Sequence, residues 1–351
     1  MPMKRKKIAI LFGGSSSEYE VSLKSASAVI EHLRDELYEP ILIGITRQGE
    51  WLRYRGNPDK ILADTWFLDE NCTPAVVSPS RDVHGIIELY EDCIEKIWID
   101  AALPILHGKN GEDGTVQGLL ELAGIPIIGC DTRSSALCMD KELAHTIVRS
   151  AGILTPSSVV IRKDTDLDEV EKRTGHLAYP LFVKPARAGS SVGITQVPQK
   201  ADLLDAVKLA FEHDDKIIVE ETVLGFEVGC AIMGNEELII GEVDEIELSR
   251  GFFDYTEKYT LKTAHIHMPA RIDPDTAERI KQTAAAIYRA LGCSGFARVD
   301  LFVTPDRKLV FNEVNTIPGF TPHSRFPKML KGAGWSFADM LDHIIELAVR
   351  R

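Results

Sequence analysis

The sequence predicts an α/β protein of two or three domains, with a parallel-sheet domain first and long-stranded sheets behind it. At 351 residues the chain exceeds what one ordinary core fills. From residue 6 to about 129, strand-like and helix-like patterns alternate, the rhythm of a parallel sheet with helices on its faces. Beyond about residue 222 that rhythm gives way to long strands and a hairpin.

The elements follow in order. Lys7 to Phe12 reads as a strand running into the polar loop Gly13 to Glu18. Val21, Ala26, Val29, Ile30 and Leu33 then recur at helical spacing. Ile41 to Ile45 reads as the next strand and Asp100 to Leu106 as a later one, while residues 51 to 96 read as an insertion with short strands of its own. Ser134 to Ala151 reads as one helix, closed by Gly152 and followed by Pro156. A mixed α/β segment extends from Ser157 to Thr222. After it come the strands Glu227 to Met233 and Leu238 to Leu248, the helix Pro274 to Leu291, strands at Gly295 to Thr304 and Lys308 to Val314, and a final helix from Ser336.

Composition narrows the function. Hydrophobic residues make up 44% of the chain and charged residues 26%, values of a soluble globular protein. A formal net charge of −13 argues against a nucleic-acid binder, so an anionic ligand must be held by local positive charge, helix N-termini and metal. The six cysteines form no CxxC pair, and four of them sit in apolar patterns, so reduced thiols in the cytoplasm are expected. The apolar run Ile8 to Phe12 is too short for a signal peptide, and no stretch reaches membrane-spanning length.

The chemistry concentrates in a few stretches. Alternation on a strand puts Arg298 and Asp300 on one face, and likewise Glu313 and Asn315. A hairpin bringing Asp300, Glu313 and Asn315 together offers only hard oxygen ligands, which suits Mg²⁺ alongside phosphates better than zinc. Arg298 beside it can meet a developing oxyanion; ordinary charges on a solvated sheet face are the bland alternative. Lys184-Pro-Ala-Arg-Ala-Gly-Ser190-Ser191-Val-Gly193 is a loop whose backbone can approach an anion closely, though the Lys precedes the glycines and the order is not that of a P-loop. Glu220 and Glu221 end a strand, with Glu227 shortly after; such carboxylates can take an adenine amino group or ribose hydroxyls, or simply cap a solvated strand. Lys141 is a phosphate ligand or a surface lysine. Glu18, where the first strand meets its helix, is a carboxylate for a ligand ammonium or an acid favoured by the helix dipole. His107, in the Gly-rich stretch after a later strand, can close over the same edge. Phe252 to Tyr259 mixes aromatics with charge and reads as a lid or as a packed structural loop.

Taken in order, GGSSSEYEVS, LHGKNGEDG, ALCMDK, VKPARAGSSVG, VEE, EKY, ARVD and NEVNTIPGFTPHS resemble the ATP-grasp enzymes, and within them the D-alanine–D-alanine ligase family, over essentially the whole chain. The resemblance implies a three-domain ATP-grasp architecture, α+β in its ATP-grasp part, divided at residues 1–129, 130–222 and 223–351. It implies a cytoplasmic homodimer in which ATP phosphorylates the carboxylate of a first D-alanine and the amine of a second D-amino acid attacks the acyl phosphate. By the same resemblance Lys141, Lys184 and Lys258 neutralise phosphates, with Ser191 in the phosphate loop. Glu220 and Glu227 contact adenosine, with Glu221 and Phe252 beside them. Asp300, Glu313 and Asn315 hold two Mg²⁺ ions, which Mn²⁺ can replace. Glu18 binds the first ammonium and joins Ser190 and Tyr259 in a hydrogen-bonded set. Arg298 and the Gly319 backbone stabilise the oxyanion, and Ser324 meets a substrate carboxylate.

Acceptor choice falls to His107, Tyr259 and Arg325. The Lys258-Tyr259 pair argues against D-lactate, and Arg325 after the serine resembles the D-alanine–D-serine ligases of the VanG type, associated with vancomycin resistance. Arg325 pairing with an acid would leave a plain D-alanine pocket. The competing expectations are a catalytically silent ATP-binding regulator, which should have lost metal or oxyanion residues, and a nicotinamide-dependent dehydrogenase, which should carry the missing glycine fingerprint.

Overall fold

The computed structural model describes residues 4–248 and 264–350, and its strands form three sheets. The first is seven-stranded, in the order β6-β5-β4-β3-β2-β1-β7. Its strands are β1 (Lys6–Gly13), β2 (Tyr38–Ile45), β3 (Trp51–Tyr54), β4 (Cys72–Val77), β5 (Gly85–Leu89), β6 (Ile94–Trp98) and β7 (Ala101–Pro104). β1 is an almost unbroken apolar run buried on both faces, as a central parallel strand requires, and both its neighbours, β2 and β7, run parallel to it. Helix α1 (Tyr19–His32) covers one face with Leu23, Ala26 and Val29.

The expectation of a simple parallel sheet needs correction. β2 to β6 pair antiparallel in succession, so residues 51 to 98 extend the same sheet to its edge instead of forming a separate insertion. Helix α2 (Asp59–Leu62) lies within this extension, and α3 (Thr115–Ala123) follows β7.

Residues 132–150 also depart from expectation. The single helix is two, α4 (Thr132–Met139) and α5 (Lys141–Ser150), broken at Asp140, which takes extended angles of φ −90° and ψ 102°. The cause is local: Asp140 serves as N-cap of the second helix, its carboxylate accepting from the Leu143 amide at 3.2 Å.

The second sheet, in the order β10-β9-β11-β8, is antiparallel throughout: β8 (Ser158–Arg162), β9 (Leu181–Pro185), β10 (Thr195–Val197) and β11 (Lys216–Glu221). Helices α6 (Leu167–Thr174) and α7 (Leu203–Ala210) cover it with Val170, Leu203 and Val207. The third sheet, β14-β13-β12-β15-β16, is again antiparallel: β12 (Phe226–Gly234), β13 (Leu238–Leu248), β14 (Ala264–His267), β15 (Phe296–Val303) and β16 (Leu309–Asn315). Helix α8 (Pro274–Ala290), with Asp273 as N-cap and Pro274 in the first turn, buries Ile280, Ala284, Ile287 and Tyr288 on this sheet, and α4 and α5 add Cys138, Ala144 and Val148.

The final helices, α9 (Arg325–Gly332) and α10 (Phe337–Val349), close a core that crosses the chain: Ile8, Ile10 and Phe12 share it with Phe296, Phe320, Phe326, Met329 and Ile344. The end of the sequence is thereby clamped to its beginning, setting residues 317–325 against the edge of the first sheet. No helix among the described residues is long and apolar enough to cross a membrane.

Candidate active site

The hairpin of β15 and β16 sets Arg298 opposite Asn315 and Asp300 opposite Glu313, with an irregularity in pairing just after Asp300. Asp300 is only 1% exposed. Its carboxylate accepts from Arg298 Nε at 2.9 Å and Nη2 at 2.7 Å and from Asn315 Nδ2 at 2.9 Å, and Arg325 Nη2 lies 3.4 Å away. Burial works against the Arg298 charge, but the Asp300 carboxylate outweighs it and holds the guanidinium above its ordinary pKa. Among the described residues Arg298 Nη1 makes no hydrogen bond, which leaves a donor for the cavity that Arg298 lines.

Arg325 opens α9 and is held by acids. It forms a two-pronged pair with Asp244, at 2.7 Å on each prong, and reaches Glu227 at 3.3 Å. Asp244 is fully buried, and its Oδ1 also accepts from the Gly229 amide. This is the geometry of an arginine paired with acids, although Arg325 still lines the cavity.

Lys184, next to last in β9, pairs opposite Ile218, and its ammonium bonds Glu220 on β11. Both are buried, and Glu220 Oε2 has no hydrogen-bond partner among the described residues. Past Lys184 the chain enters the Gly-Ser loop, where Ser190 and Ser191 take positive φ of 50° and 58°, left-handed angles that side chains usually avoid. Ser190 Oγ donates to Glu18, closing the loop onto the first sheet. Lys141, the first residue of α5, donates to the Ala188 carbonyl at 3.0 Å and lies 3.7 Å from Glu313.

Two cavities result. One, of about 410 Å³, lies between the second and third sheets, with Phe182, Ile194, Val223 and Phe302 as apolar walls and Lys184, Ser191, Glu220, Glu221 and Glu227 as polar lining. The strand-end carboxylates differ in use: Glu220 meets Lys184, Glu221 accepts from the Ala178 amide at 2.8 Å, and Glu227 turns to Arg325. The other, of about 380 Å³, is walled by all three sheets and holds Glu18, His107, Ser190, Arg298, Asn315, Gly319, Ser324 and Arg325. Lys141, Ala188 and Glu313 line both, so the cavities meet there.

In the second cavity His107 is a tie. Its Nδ1 lies 3.0 Å from the Ile317 carbonyl and its Nε2 3.3 Å from Ser25 Oγ, which itself accepts from the Phe320 amide. Burial lowers its pKa, so the imidazole is neutral, donating through Nδ1. Gly319 lies so close to Ser324 that a Cβ would come within 2.9 Å of the hydroxyl. Gly108, at φ +75°, is constrained in the same way by Glu18.

The sequence reading missed Glu112 as a site residue. It lines this cavity and accepts from the Gly108 amide at 2.8 Å; burial, then the Glu18 charge, push its carboxyl up to about 8. Its signal was its place within LHGKNGEDG. Asp244 was also missed, and nothing local marks it. Phe252, Lys258 and Tyr259 lie outside the described residues.

A cavity between two antiparallel sheets, fed by a lysine at a strand end and a Gly-Ser loop, and opening into a carboxylate- and arginine-lined chamber, defines an ATP-grasp ligase. The family models for the D-ala D-ala ligase N-terminus and C-terminus match residues 7–130 and 147–346. The VanB vancomycin B-type resistance protein of Enterococcus faecalis is 46% identical over 99% of this chain and 100% of its own. A D-alanine–D-alanine ligase of Caldicellulosiruptor bescii is 41% identical over 99% and 96%. Among solved structures, the VanG D-Ala:D-Ser ligase of Enterococcus faecalis superposes with a TM-score of 0.92 and 59% identity, covering 98% of this chain and all 100% of that one. The chain belongs to the D-alanine–D-alanine ligase family, ATP-dependent enzymes that form a C–N bond.

Proposed function

We propose that this ligase joins D-alanine to D-serine through a D-alanyl phosphate, supplying a modified peptidoglycan precursor in vancomycin resistance. The observation that carries the reading is the meeting of the two cavities at Lys141, Ala188 and Glu313: a phosphoryl group can pass from one to the other without leaving the protein. The likeness to the VanG ligase, 59% identical over nearly the whole chain, supports D-serine as acceptor.

In this reading Lys184 and Lys141 neutralise phosphates while the loop amides around Ser190 and Ser191 cradle them. Glu220, Glu221 and Glu227, with Phe252, take the nucleoside, and Lys258 joins the phosphate-neutralising lysines. Glu18, held by Ser190 in a set that Tyr259 would complete, receives the first ammonium. Arg298, through Nη1, and the Gly319 amide face the oxygen where charge develops, and Ser324 takes the substrate carboxylate. Asp300, Glu313 and Asn315 fit two Mg²⁺ ions by donor chemistry: hard oxygens on paired strands, beside the phosphate lysine. Mg²⁺, or Mn²⁺ in its place, would disperse the charge of the phosphates it binds. A three-part division near residues 129 and 222, a homodimer and a cytoplasmic location complete the proposal.

A second reading, with D-alanine as acceptor, is favoured by one observation: Asp244, Glu227 and Asp300 already hold Arg325. Phosphate release with Mg-ATP and D-alanine, with and without D-serine, separates the two once products are weighed by mass spectrometry. Dominant D-alanyl-D-serine at equal acceptor concentrations supports the proposal. D-alanyl-D-alanine alone assigns a D-alanine acceptor.

A further inference from the structure

We infer that Lys216 is a positioning residue for phosphoryl transfer: it fixes the break between α4 and α5 and so holds Lys141 where the two cavities meet. The inference rests on the ligase reading above, in which Lys141 serves the phosphates.

Lys216 opens β11 and is only 6% exposed. Strand alternation puts it on the same face as Ile218 and Glu220. Its ammonium bonds the Asp140 carboxylate and lies 2.9 Å from Glu142 Oε2, the two acids that flank Lys141 in sequence. Asp140 is the residue at which the helix breaks. The backbone repeats the connection: the Ala186 amide donates to the Lys216 carbonyl at 2.9 Å, and the Lys141 amide donates to the Ala186 carbonyl at 3.0 Å. Lys141 Nζ then reaches Ala188, two residues further into the phosphate loop. Through its ammonium and its backbone carbonyl, Lys216 thus joins the start of α5 to the end of β9 and the root of the loop.

The arrangement has an electrostatic consequence as well as a geometric one. Two carboxylates beside Lys141 would attract its ammonium and repel a triphosphate in a partly desolvated site. Lys216 neutralises them and leaves Lys141 directed at Ala188 and Glu313.

A double-mutant cycle reads this directly. Binding of a non-hydrolysable ATP analogue is measured by calorimetry alongside the KM for D-alanine. Lys216→Met should weaken analogue binding about 10-fold and leave the D-alanine KM within about 2-fold, and in a Lys141→Met background its further effect should shrink to about 2-fold or less, because the two residues act as one unit. Lys216→Arg should recover most of the binding. Full additivity with Lys141→Met, or unchanged binding in Lys216→Met, overturns the inference. If Lys216→Met does not melt cooperatively, Lys216→Gln takes its place, keeping a donor for Asp140 but not the charge, with an expected loss of about 3-fold that again vanishes without Lys141; unchanged binding overturns the inference there too. Failure of the ligase reading would show separately, as no phosphate release by the unaltered protein while the binding cycle stays readable.

Discussion

Asp300 and Glu220 are both carboxylates buried on interior strands of their sheets, yet they are partnered in opposite ways. Asp300 is surrounded by donors, with Arg298, Arg325 and Asn315 all within reach. Glu220 gives one oxygen to Lys184 and has no donor among the described residues for the other. An unsatisfied buried acceptor costs about 1–3 kcal/mol, which a ligand donor can recover. The contrast separates a hairpin carboxylate already satisfied among the described residues from a cavity carboxylate with an acceptor oxygen left for an entering donor.

Experiments can break this contrast, taken here in order of effect on turnover. Arg298→Ala should lower kcat by about 10²- to 10³-fold, the cost of losing one oxyanion donor. Nucleotide binding should change little, so a defect confined to ATP affinity in calorimetry would remove Arg298 from the oxyanion role. Glu220→Gln should weaken ATP binding about 10-fold, because the amide must turn its NH₂ either to Lys184 or to the ligand's donor. Unaltered affinity would mean that the bare oxygen has no ligand to meet.

Glu112 tests the other cavity through pH. Its carboxyl, pushed from 4.5 up to about 8, keeps a proton in the folded chain that the unfolded chain releases. The native state therefore loses relative stability as pH rises across that window, and the loss levels off above it. Melting temperature should fall between pH 5 and pH 8, and Glu112→Gln should flatten that slope; an equally steep fall in the variant would place the titration elsewhere. Glu88 is the control with the smallest effect on activity. It too is buried with an oxygen lacking a hydrogen bond among the described residues, but it sits in the antiparallel extension with Arg53 and Arg55. Glu88→Gln should cost about 3 kcal/mol in denaturant unfolding and leave both KM values unchanged. A kinetic effect there would weaken the argument that an orphan oxygen points to a ligand only where a cavity adjoins it.

Much of this was legible in the chain. The β15–β16 hairpin could be read because alternation fixes which side chains share a face, and the structure pairs Asp300 with Glu313 across it. The Gly-Ser loop and Lys184 announced themselves by composition at a strand end. Other features were illegible for physical reasons. The break at Asp140 hides inside good helix-forming sequence, since an aspartate looks the same in mid-helix as at an N-cap. The antiparallel run from β2 to β6 depends on pairing that short strands do not advertise. The acids around Arg325 come from β12, β13 and β15, brought close only by sheet register. Lys216 resembled any strand-edge lysine until Asp140 and Glu142 were folded against it.

The bond from His107 to the Ile317 carbonyl spans 210 positions of sequence, and that from Ser190 to Glu18 spans 172. During synthesis, the first sheet and the Gly-Ser loop therefore emerge well before the wall that closes the acid chamber. A nascent chain halted before residue 317 has the parallel strands but lacks the stretch from Ile317 to Arg325 that lines this chamber. On refolding, the capacity to bind D-alanine should return only with the docking of the last two helices.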